Sequence, residues 1–323
     1  MTRSFIAGGA GFIGSHLVHE LMRRPDDEVV VFDNLSSGDT DRLGDLLDDE
    51  RLTLKIGDLQ AIDDVTSAMR GCDHVYHFAA NPDISRAVSE PTIDFWQGTY
   101  LTSNVIDAMR VNGVGRITYA SGSGVYGERG DEEVDERFGP LIPVSTYGAS
   151  KLACEALLAS YSHMFEIDAV AFRFANVVGS EQTHGVTYDF VRHLLNDPTR
   201  LRILGDGTQS KSYIHVWDVV AAMLLLADSG GSGFDVYNAG TGDYVTVTEI
   251  ADLVVERMGL EGVEYQYTGG DRGWKGDVPI VRFRSEKLEA RGWRCSRGSR
   301  EALIDSIDSN IREARRELRG DER

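Results

Sequence analysis

AGGAGFIGSH, residues 7–16, joins a short apolar run to a segment with helical periodicity. Its glycines fit two overlapping patterns, Gly9-x-Gly11-x-x-Gly14 and Gly8-x-x-Gly11-x-x-Gly14. Glycine in such patterns permits a tight turn, close approach of a pyrophosphate to the backbone, and close packing of the helix on the strand. The free N–H groups at the start of the helix can then bind phosphate. The stretch therefore predicts a strand, a turn and a helix that bind a dinucleotide.

An acidic residue, Asp33, ends the second apolar run, EVVVFDN. It follows Gly14 at the distance of roughly 20 residues that is typical of dinucleotide-binding units. A carboxylate in this place accepts hydrogen bonds from the adenosine ribose hydroxyls and repels a 2′-phosphate. NAD, rather than NADP, is therefore the predicted cofactor. The alternative is that Asp33 is only a turn residue of the DNLSSG segment.

Apolar strands alternate with helical segments through the first half of the chain. After the first two strands, the expected strands are RLTLKIGD (51–58), HVYHFAA (74–80), RITYASGS (116–123) and DAVAFRFANVVG (168–179). The expected helices are SHLVHELMRR (15–24), TSNVIDAMRVN (102–112), STYGASKLACEALLASYSHMF (145–165) and, near the end, SREALIDSIDSNIREARREL (299–318). This alternation is typical of a parallel sheet covered on both faces. The predicted fold class is α/β, with a Rossmann-type doubly wound parallel sheet and a smaller, mainly C-terminal α/β lobe.

The composition argues against several classes of protein. The 323 residues include 33 Lys and Arg against 52 Asp and Glu, a net charge of −19, and no basic patch suggests binding to nucleic acid. No apolar run reaches the roughly 18 residues of a membrane-spanning helix, and the N-terminus has no secretory pattern. Cys72, Cys154 and Cys295 are widely spaced and predict neither disulfides nor a metal site. A cytoplasmic protein without membrane or nucleic-acid partners is expected.

Lysine is rare among the basic residues of the chain. Lysine occurs only at Lys55, Lys151, Lys211, Lys275 and Lys287, and the other basic residues are arginine. Abundant carboxylates with few lysines favour a surface adapted to high salt, where dissolved ions screen the repulsion between like charges. An ordinary acidic protein is the alternative interpretation.

YGASK, residues 147–151, opens the long central helix with a tyrosine and a lysine on one helical face. A free phenol has a pKa of about 10, which is too high for a good base at neutral pH. A nearby ammonium group and a positively charged nicotinamide ring would stabilise the phenolate and lower that pKa. Because the glycine stretch predicts a nicotinamide cofactor, Tyr147 is the predicted proton-transfer group and Lys151 its electrostatic partner.

These motifs, taken in order, resemble the extended short-chain dehydrogenase/reductase family, and within it the nucleotide-sugar epimerases and dehydratases. The resemblance is carried by GGAGFIGSH (8–16), FDNLSSG (32–38), GDL (57–59), HFAA (77–80), VYG (125–127), YGASK (147–151), FRFANVVG (172–179), GDGTQSKSYIHVWD (205–218), YNAGTG (237–242) and GDRGWKGDVP (270–279). It therefore covers nearly the whole chain. It implies an NAD-binding domain over residues 1–175, to which 213–243 return, and a lobe mainly over 176–323 that holds a nucleotide sugar.

The resemblance also implies roles for individual residues. Cofactor contacts are expected from Gly8, Gly11, Phe12, Ile13, Gly14, Asp33, Asn34, Ser37, Gly38, Asp58, Leu59, Phe78, Ala79 and Ala80, together with Tyr147 and Lys151. Substrate contacts are expected from Asn176, Val186, Lys211, Arg272 and Asp277. Lys211 stands where many relatives have a phosphate-binding arginine, and Phe95 replaces an asparagine that relatives usually have near the cofactor. Relatives commonly form homodimers through the two helices to which Leu101, Val105, Leu152 and Leu157 belong.

One position departs from the family pattern. Relatives typically have Ser or Thr four residues before the tyrosine of VYG, where its hydroxyl binds the sugar oxygen, and this chain has Gly122. Ser121 and Ser123 flank it, and either hydroxyl, or a water molecule, can take over. The related 4,6-dehydratases have Asp-Glu at the next two positions, because elimination needs an acid and a base. Here those positions are Ser123 and Gly124.

The predicted function is therefore NAD-dependent epimerisation of a nucleotide sugar at C4, of the UDP-glucose/UDP-galactose type, with NAD regenerated in each turnover. Another nucleotide-sugar epimerase or reductase of the same family is the first alternative. A non-catalytic NAD-sensing regulator is the second, and Gly122 is the feature that favours it. Turnover of any nucleotide sugar would separate the enzyme from the regulator.

Overall fold

The computed structural model describes residues 2–320. The strands, in chain order, are β1 (Arg3–Ala7), β2 (Glu28–Asp33), β3 (Leu52–Ile56), β4 (His74–His77), β5 (Arg116–Gly122), β6 (Asp168–Phe174), β7 (Asn176–Val178), β8 (Arg200–Ile203), β9 (Ser210–Lys211), β10 (Tyr213–His215), β11 (Phe234–Ala239), β12 (Val245–Thr246) and β13 (Glu264–Tyr267). The helices are α1 (Phe12–Met22), α2 (Ile62–Ala68), α3 (Leu101–Asn112), α4 (Thr146–Phe165), α5 (Val186–Asn196), α6 (Val216–Ser229), α7 (Val247–Met258), α8 (Glu286–Glu289) and α9 (Ser299–Gly320). Short 3-10 segments cover Thr40–Asp48, Ile84–Val88 and Ser123–Tyr126, and a π-helical turn, Phe95–Tyr100, runs into α3.

The central sheet has seven strands in the order β11-β6-β5-β4-β1-β2-β3, and its strand pairs are parallel. Helices α2, α3 and α4 bury one face of this sheet. Helices α1 and α6 cover the other face. Outside the sheet, α5, α7 and α9 with β8 enclose a separate apolar core, which we call the second lobe. The predicted α/β class, with its doubly wound sheet and smaller lobe, is confirmed.

The glycine stretch forms the tight turn between β1 and α1. Gly8 has a φ of 82°, a conformation that glycine adopts without strain. A Cβ added to Gly14 would lie 2.2 Å from the Gly8 carbonyl oxygen, and one added to Gly8 would lie 2.8 Å from the Ala79 nitrogen. At Gly14 the backbone of α1 packs against the turn after β1, and at Gly8 that turn packs against the backbone after β4. The first turn of α1 therefore lies directly against the ends of these two strands.

The segment DAVAFRFANVVG is not the single strand that was predicted. β6 pairs with β11 as far as Phe174 and Ala239, and β7 pairs with β10 in a separate two-stranded sheet. At the break, the Ala175 nitrogen donates to the Ala239 oxygen, whereas the Asn176 nitrogen donates to the Ser212 oxygen. The strand changes partner because its neighbour β11 ends at Ala239. Asn176 therefore leaves the central sheet at its carboxyl edge.

Two of the apolar residues on the helices expected to pair in a homodimer face the sheet. Leu101 and Val105 are buried in the core between the sheet and its helices, so a second copy of the chain cannot contact these two side chains. Leu152 and Leu157 are half-buried against the same molecule's cores. The exposed apolar side chains of this region are instead Phe95, Trp96, Val111, Met164 and Phe165.

Residues 2–320 include no helix that is long and apolar enough to cross a membrane. Within the same residues, no three His, Cys, Asp or Glu side chains are grouped so that they could hold a metal ion.

Replacing Gly14 by Ala is expected to lower the free energy of unfolding by about 1–3 kcal/mol, because the new methyl group overlaps backbone that cannot yield without opening the turn. Urea unfolding followed by circular dichroism measures the change. Gly115→Ala is the matched control, since an added Cβ there has no neighbour within 4 Å in the described part of the chain. Its expected effect is within about 0.5 kcal/mol. Equal stabilities of the two variants would contradict the close approach at Gly14.

Candidate active site

Helix α4 begins with a turn that is fixed from several sides. The Ser145 hydroxyl caps the helix by accepting a hydrogen bond from the Gly148 nitrogen at 3.1 Å. Asp94, only 2 % exposed, accepts through its carboxylate from the Thr146 hydroxyl at 2.6 Å and through its carbonyl from the Ser150 hydroxyl at 2.7 Å. A carboxylate near a helix N-terminus is also favoured by the helix dipole. Tyr147 therefore extends from a rigid turn.

Lys151 lies one turn after Tyr147 and is 5 % exposed. Its Nζ donates to the Ala120 oxygen of β5 at 2.7 Å and lies 5.4 Å from the centre of the Tyr147 ring. An ammonium group has three donors, so this bond leaves two for other partners. Burial and the charge of Lys151 lower the pKa of His77 to about 3, so this neighbouring imidazole is neutral. Lys151 is thus a buried cation that can stabilise negative charge on the Tyr147 oxygen.

Gly122 leaves space beside the Tyr147 ring. Its φ of −161° is ordinary extended backbone, which any residue adopts. The nearest described neighbour of a Cβ added here would be Tyr147 Cε1, at 4.0 Å. The backbone therefore does not require glycine at this position. A side chain at residue 122 would lie beside the phenol, which is where the family resemblance expects a hydroxyl.

The two flanking serines are not equivalent. The Ser121 hydroxyl donates to Glu155 Oε1 at 2.6 Å, and Ser121 is 5 % exposed. The predicted catalytic role of Ser121 does not fit this placement, because its donor is already used by a buried carboxylate. Ser123 is half-buried at the start of the next 3-10 turn, and its hydroxyl makes no hydrogen bond within residues 2–320. Of the two, Ser123 retains a free hydroxyl near Gly122.

Ser121 belongs to a buried ion pair that the sequence did not reveal. Arg173 Nη2 lies 2.7 Å from Glu155 Oε2, Arg173 Nε lies 3.0 Å from Oε1, and Arg173 Nη1 donates to the Tyr126 hydroxyl at 2.9 Å. Burial alone would lower the pKa of the Arg173 guanidinium, but the hydrogen bonds and charge of Glu155 outweigh it and raise that pKa. The sequence contains one indication of where Glu155 lies, since it follows Lys151 by one helical turn. No feature of the sequence around Arg173, on β6, indicated that the two residues pair.

The residues predicted to hold NAD lie together at the carboxyl edge of the sheet. Asp33 is 8 % exposed, and its carboxylate accepts from the Ala10 nitrogen at 3.0 Å and the Leu35 nitrogen at 2.9 Å. These bonds fix the glycine turn to the end of β2. A carboxylate has about four lone-pair sites, so two remain for ribose hydroxyls. A Cβ on Gly38 would lie 2.8 Å from Asp33 Oδ1, which explains the glycine at that position.

Other predicted cofactor residues complete this edge. The Phe78 and Ala79 nitrogens both donate to the Ala7 oxygen, at 2.9 and 3.1 Å, so the ends of β1 and β4 converge. Asn34 Nδ2 lies 3.4 Å from Asp58 Oδ2. The first turn of α1, which contains Phe12, Ile13 and Gly14, has only glycine at its N-cap and no acidic residue. Its N–H groups therefore face this edge without a side-chain cap, as a pyrophosphate requires. Gly11, Ser37, Leu59 and Ala80 belong to the turns and loops of the same edge.

A cavity of about 270 Å³ connects the cofactor residues with the segment before α5. Ser37, Pro82, Asp83, Thr183 and His184 line it. Val186 begins α5 directly after Gly185, whose φ is 101°. The cavity therefore lies between Ser37, a predicted cofactor residue, and the segment that leads to Val186, a predicted substrate residue.

Three of the five predicted substrate residues form one cluster. Lys211 and Asp277 form a salt bridge, and Arg272 Nη1 donates to the Asp277 carbonyl oxygen at 3.1 Å. Asn176 lies on β7, opposite Tyr213 in the register with β10. The loop that carries Arg272 and Asp277 also approaches α4, because a Cβ on Gly276 would lie 3.1 Å from Ser145 Cβ. The cluster is therefore connected to the turn that holds Tyr147.

Comparisons with known proteins agree with this geometry. The sequence model of the NAD dependent epimerase/dehydratase family matches residues 4–240. A putative UDP-glucose 4-epimerase of Methanocaldococcus jannaschii is 30% identical over 90% of this chain and 92% of its own length. A dTDP-glucose 4,6-dehydratase of Streptomyces antibioticus is 32% identical over 79% of this chain and 77% of its own. The crystal structure of a Thermus thermophilus UDP-glucose 4-epimerase in complex with NAD has a TM-score of 0.85 and 32% identity, covering 96% of this chain and 99% of that one.

Ser121→Ala is expected to lower the free energy of unfolding by about 1–3 kcal/mol, because it removes a hydrogen bond to a buried carboxylate. Ser123→Ala is the neighbouring control, with an expected change within about 0.5 kcal/mol. Denaturant unfolding of both variants gives the comparison. A larger loss in Ser123→Ala than in Ser121→Ala would contradict the described hydrogen bonding.

Proposed function

The chain belongs to the NAD-dependent epimerase/dehydratase family, and from this we propose that it epimerises a UDP-sugar at C4, in the manner of UDP-glucose and UDP-galactose interconversion. The observation that carries the proposal is the Tyr147–Lys151 pair on α4, a half-buried phenol above a buried ammonium. NAD is the cofactor. The residues at the carboxyl edge fit it, since the glycine turn, the uncapped start of α1 and the remaining lone pairs of Asp33 match the chemistry of a dinucleotide.

The residues after Gly122 favour epimerisation over dehydration. Ser123 and Gly124 open a 3-10 turn that packs on the start of α4, where a Cβ on Gly148 would lie 2.5 Å from the Gly124 oxygen. Elimination of water across two carbons needs both an acid and a base. A hydroxyl and a hydrogen atom provide neither at these positions. Oxidation and re-reduction at one carbon needs only the phenol, the ammonium and the cofactor.

Proton transfer is the part of the reaction that the side chains perform. Tyr147 takes the proton from the sugar O4 as the hydroxyl is oxidised and returns it when the carbonyl is reduced. Lys151 stabilises the phenolate between these two events from a site that is shielded from water, where charge interactions are stronger than in bulk solvent. When bound at the carboxyl edge, where the glycine turn, the start of α1 and Asp33 would hold it, NAD would supply the hydride acceptor and donor for C4. The Ser123 hydroxyl is the protein group best suited to bind O4.

Substrate binding is proposed to rest on the second lobe and the loops beside it. Arg272 and Lys211 supply positive charge for the diphosphate, and the arginine also offers a planar fork of donors. Asn176, at the start of β7, lies at the carboxyl edge where the nucleotide would cross from one lobe to the other. Val186 and the cavity beside His184 are the proposed region for the nucleoside.

A homodimer is proposed as the assembly. The exposed apolar side chains of the α3–α4 face include Trp96 (49 % exposed) and Met164 (67 % exposed). Phe95 packs on Trp96 near the start of the two helices, and Val111, Met164 and Phe165 are exposed at their ends. We propose that a second copy of the chain covers these exposed apolar side chains, because large apolar side chains exposed to water are typical of interfaces.

Tyr147→Phe is expected to reduce the epimerisation rate by about 10²- to 10⁴-fold, because it removes the proton-transfer oxygen and keeps the ring. NMR of the interconversion of UDP-glucose and UDP-galactose measures the rate. Tyr161→Phe, on the same helix, is the control and should retain normal activity. Lys151→Met should also lower activity and, unlike Tyr147→Phe, weaken NAD binding. Near-normal turnover by Tyr147→Phe would require a different base.

Met164→Asp combined with Phe165→Asp is expected to convert the dimer into a monomer, because buried unpaired carboxylates are costly at an interface. Light scattering measures the mass of the particle. Leu318→Asp, another exposed apolar residue on a different helix, is the control and should remain dimeric. A monomeric wild-type protein would contradict the proposed assembly.

A further inference from the structure

The guanidinium of Arg272 faces a carboxylate from a distant part of the chain. Arg272 Nη2 lies 2.8 Å from both Oε1 and Oε2 of Glu128. Glu128 directly follows Gly127, which ends the VYG motif, so the pair joins the segment after the 3-10 turn at Ser123–Tyr126 to the late loop. No sequence pattern indicated this contact.

Both cations of the substrate cluster are therefore paired with anions. Lys211 is paired with Asp277, and Arg272 with Glu128 and, more loosely at 3.6 Å, with the exposed Asp271. The carboxylate of Asp277 is held in place, because the Asp277 side chain is only 10 % exposed and also accepts a hydrogen bond from the Gly273 nitrogen at 3.1 Å. The Glu128 side chain is 43 % exposed, and within residues 2–320 its carboxylate bonds to Arg272 alone. Glu128 can thus leave without disturbing another contact.

We propose that Glu128 occupies the position of a substrate phosphate at Arg272 and is released when the diphosphate of the nucleotide sugar binds. The inference rests on the proposed function, because it assigns the incoming anion to that substrate. Carboxylate and phosphate oxygens use the same donors of a guanidinium, and both form charge-assisted hydrogen bonds. Binding then exchanges one anion for another at Arg272.

The location of the pair connects this exchange to the catalytic turn. Arg272 lies in the same loop as Gly276, and a Cβ on Gly276 would lie 3.1 Å from Ser145 Cβ, at the cap of α4. Glu128 follows the turn that contains Ser123. The Arg272–Glu128 ion pair joins these two loops. With the diphosphate bound, Arg272 holds the substrate instead.

The exchange predicts that Glu128 opposes binding. Since exposed ion pairs contribute only modestly, Glu128→Gln should tighten binding of UDP to the NAD-loaded protein by about 2- to 5-fold. The Michaelis constant for the UDP-sugar should fall by a similar factor while kcat stays constant. Glu132→Gln is the matched control, because it removes an equal charge from an exposed position in the same loop.

Isothermal titration of UDP into the wild type, Glu128→Gln, Glu132→Gln, Arg272→Met and the Glu128→Gln/Arg272→Met double variant provides the test. The expected result is tighter binding for Glu128→Gln only, and no effect of Glu128→Gln once Arg272 is replaced. Weaker binding in Glu128→Gln, or equal tightening in Glu132→Gln, would overturn the inference. A wild-type protein that does not bind UDP would instead contradict the proposed function.

Discussion

The buried ion pair of Arg173 and Glu155 is the constraint on which the geometry of the site depends. It joins β6 to α4, reaches β5 through the Ser121 hydroxyl, and reaches β11 through Tyr126, whose hydroxyl donates to Asn238 Oδ1 at 2.7 Å. Moving two charges out of water is costly, and removing one partner of such a pair typically costs about 3–5 kcal/mol because the other charge is left alone. The ends of three neighbouring strands and helix α4 therefore keep one relative position. Lys151 is one turn from Glu155, and its bond to the Ala120 oxygen strengthens the same connection.

Because of this ion pair, the residues around Gly122 have different roles: Ser121 stabilises the fold, whereas residue 122 lies beside the Tyr147 ring. Ser121 faces the ion pair, and the residue after Gly122 opens the next turn. Because successive side chains of a strand alternate between its faces, a hydroxyl on Ser121 and a side chain at residue 122 cannot serve the same purpose. The substitution of glycine thus leaves the fold intact while it removes a side chain from beside the phenol. Under the proposed function, the glycine reduces the number of groups that can bind the sugar oxygen, so the reaction would depend more strongly on Tyr147 and Lys151.

Features with local causes could be predicted from the sequence, and features set by distant partners could not. The strands, the principal helices and the glycine turn follow from periodicity and from backbone conformations that only glycine adopts easily. The break at Ala175 depends on where β11 ends, some 60 residues later, so DAVAFRFANVVG alone looks like one strand. The role of Ser121 depends on Glu155 and Arg173. The burial of Leu101 and Val105 depends on which side of α3 meets the sheet, and apolar content does not determine that side.

A protein with a net charge of −19 is expected to repel a diphosphate, although we propose that this chain binds one. Salt weakens the long-range repulsion between ligand and protein more than it weakens ion pairs in direct contact. The Debye length is about 10 Å at 0.1 M and about 3 Å at 1 M, so concentrated salt removes the repulsion between the ligand and distant carboxylates. The contacts of Arg272 and Lys211 span less than that length and persist. An acidic surface is therefore compatible with an anionic ligand where the ionic strength is high, provided that the site itself holds cations. Both cations are paired with carboxylates of the chain, Lys211 with Asp277 and Arg272 with Glu128, so a diphosphate must compete with those carboxylates for them.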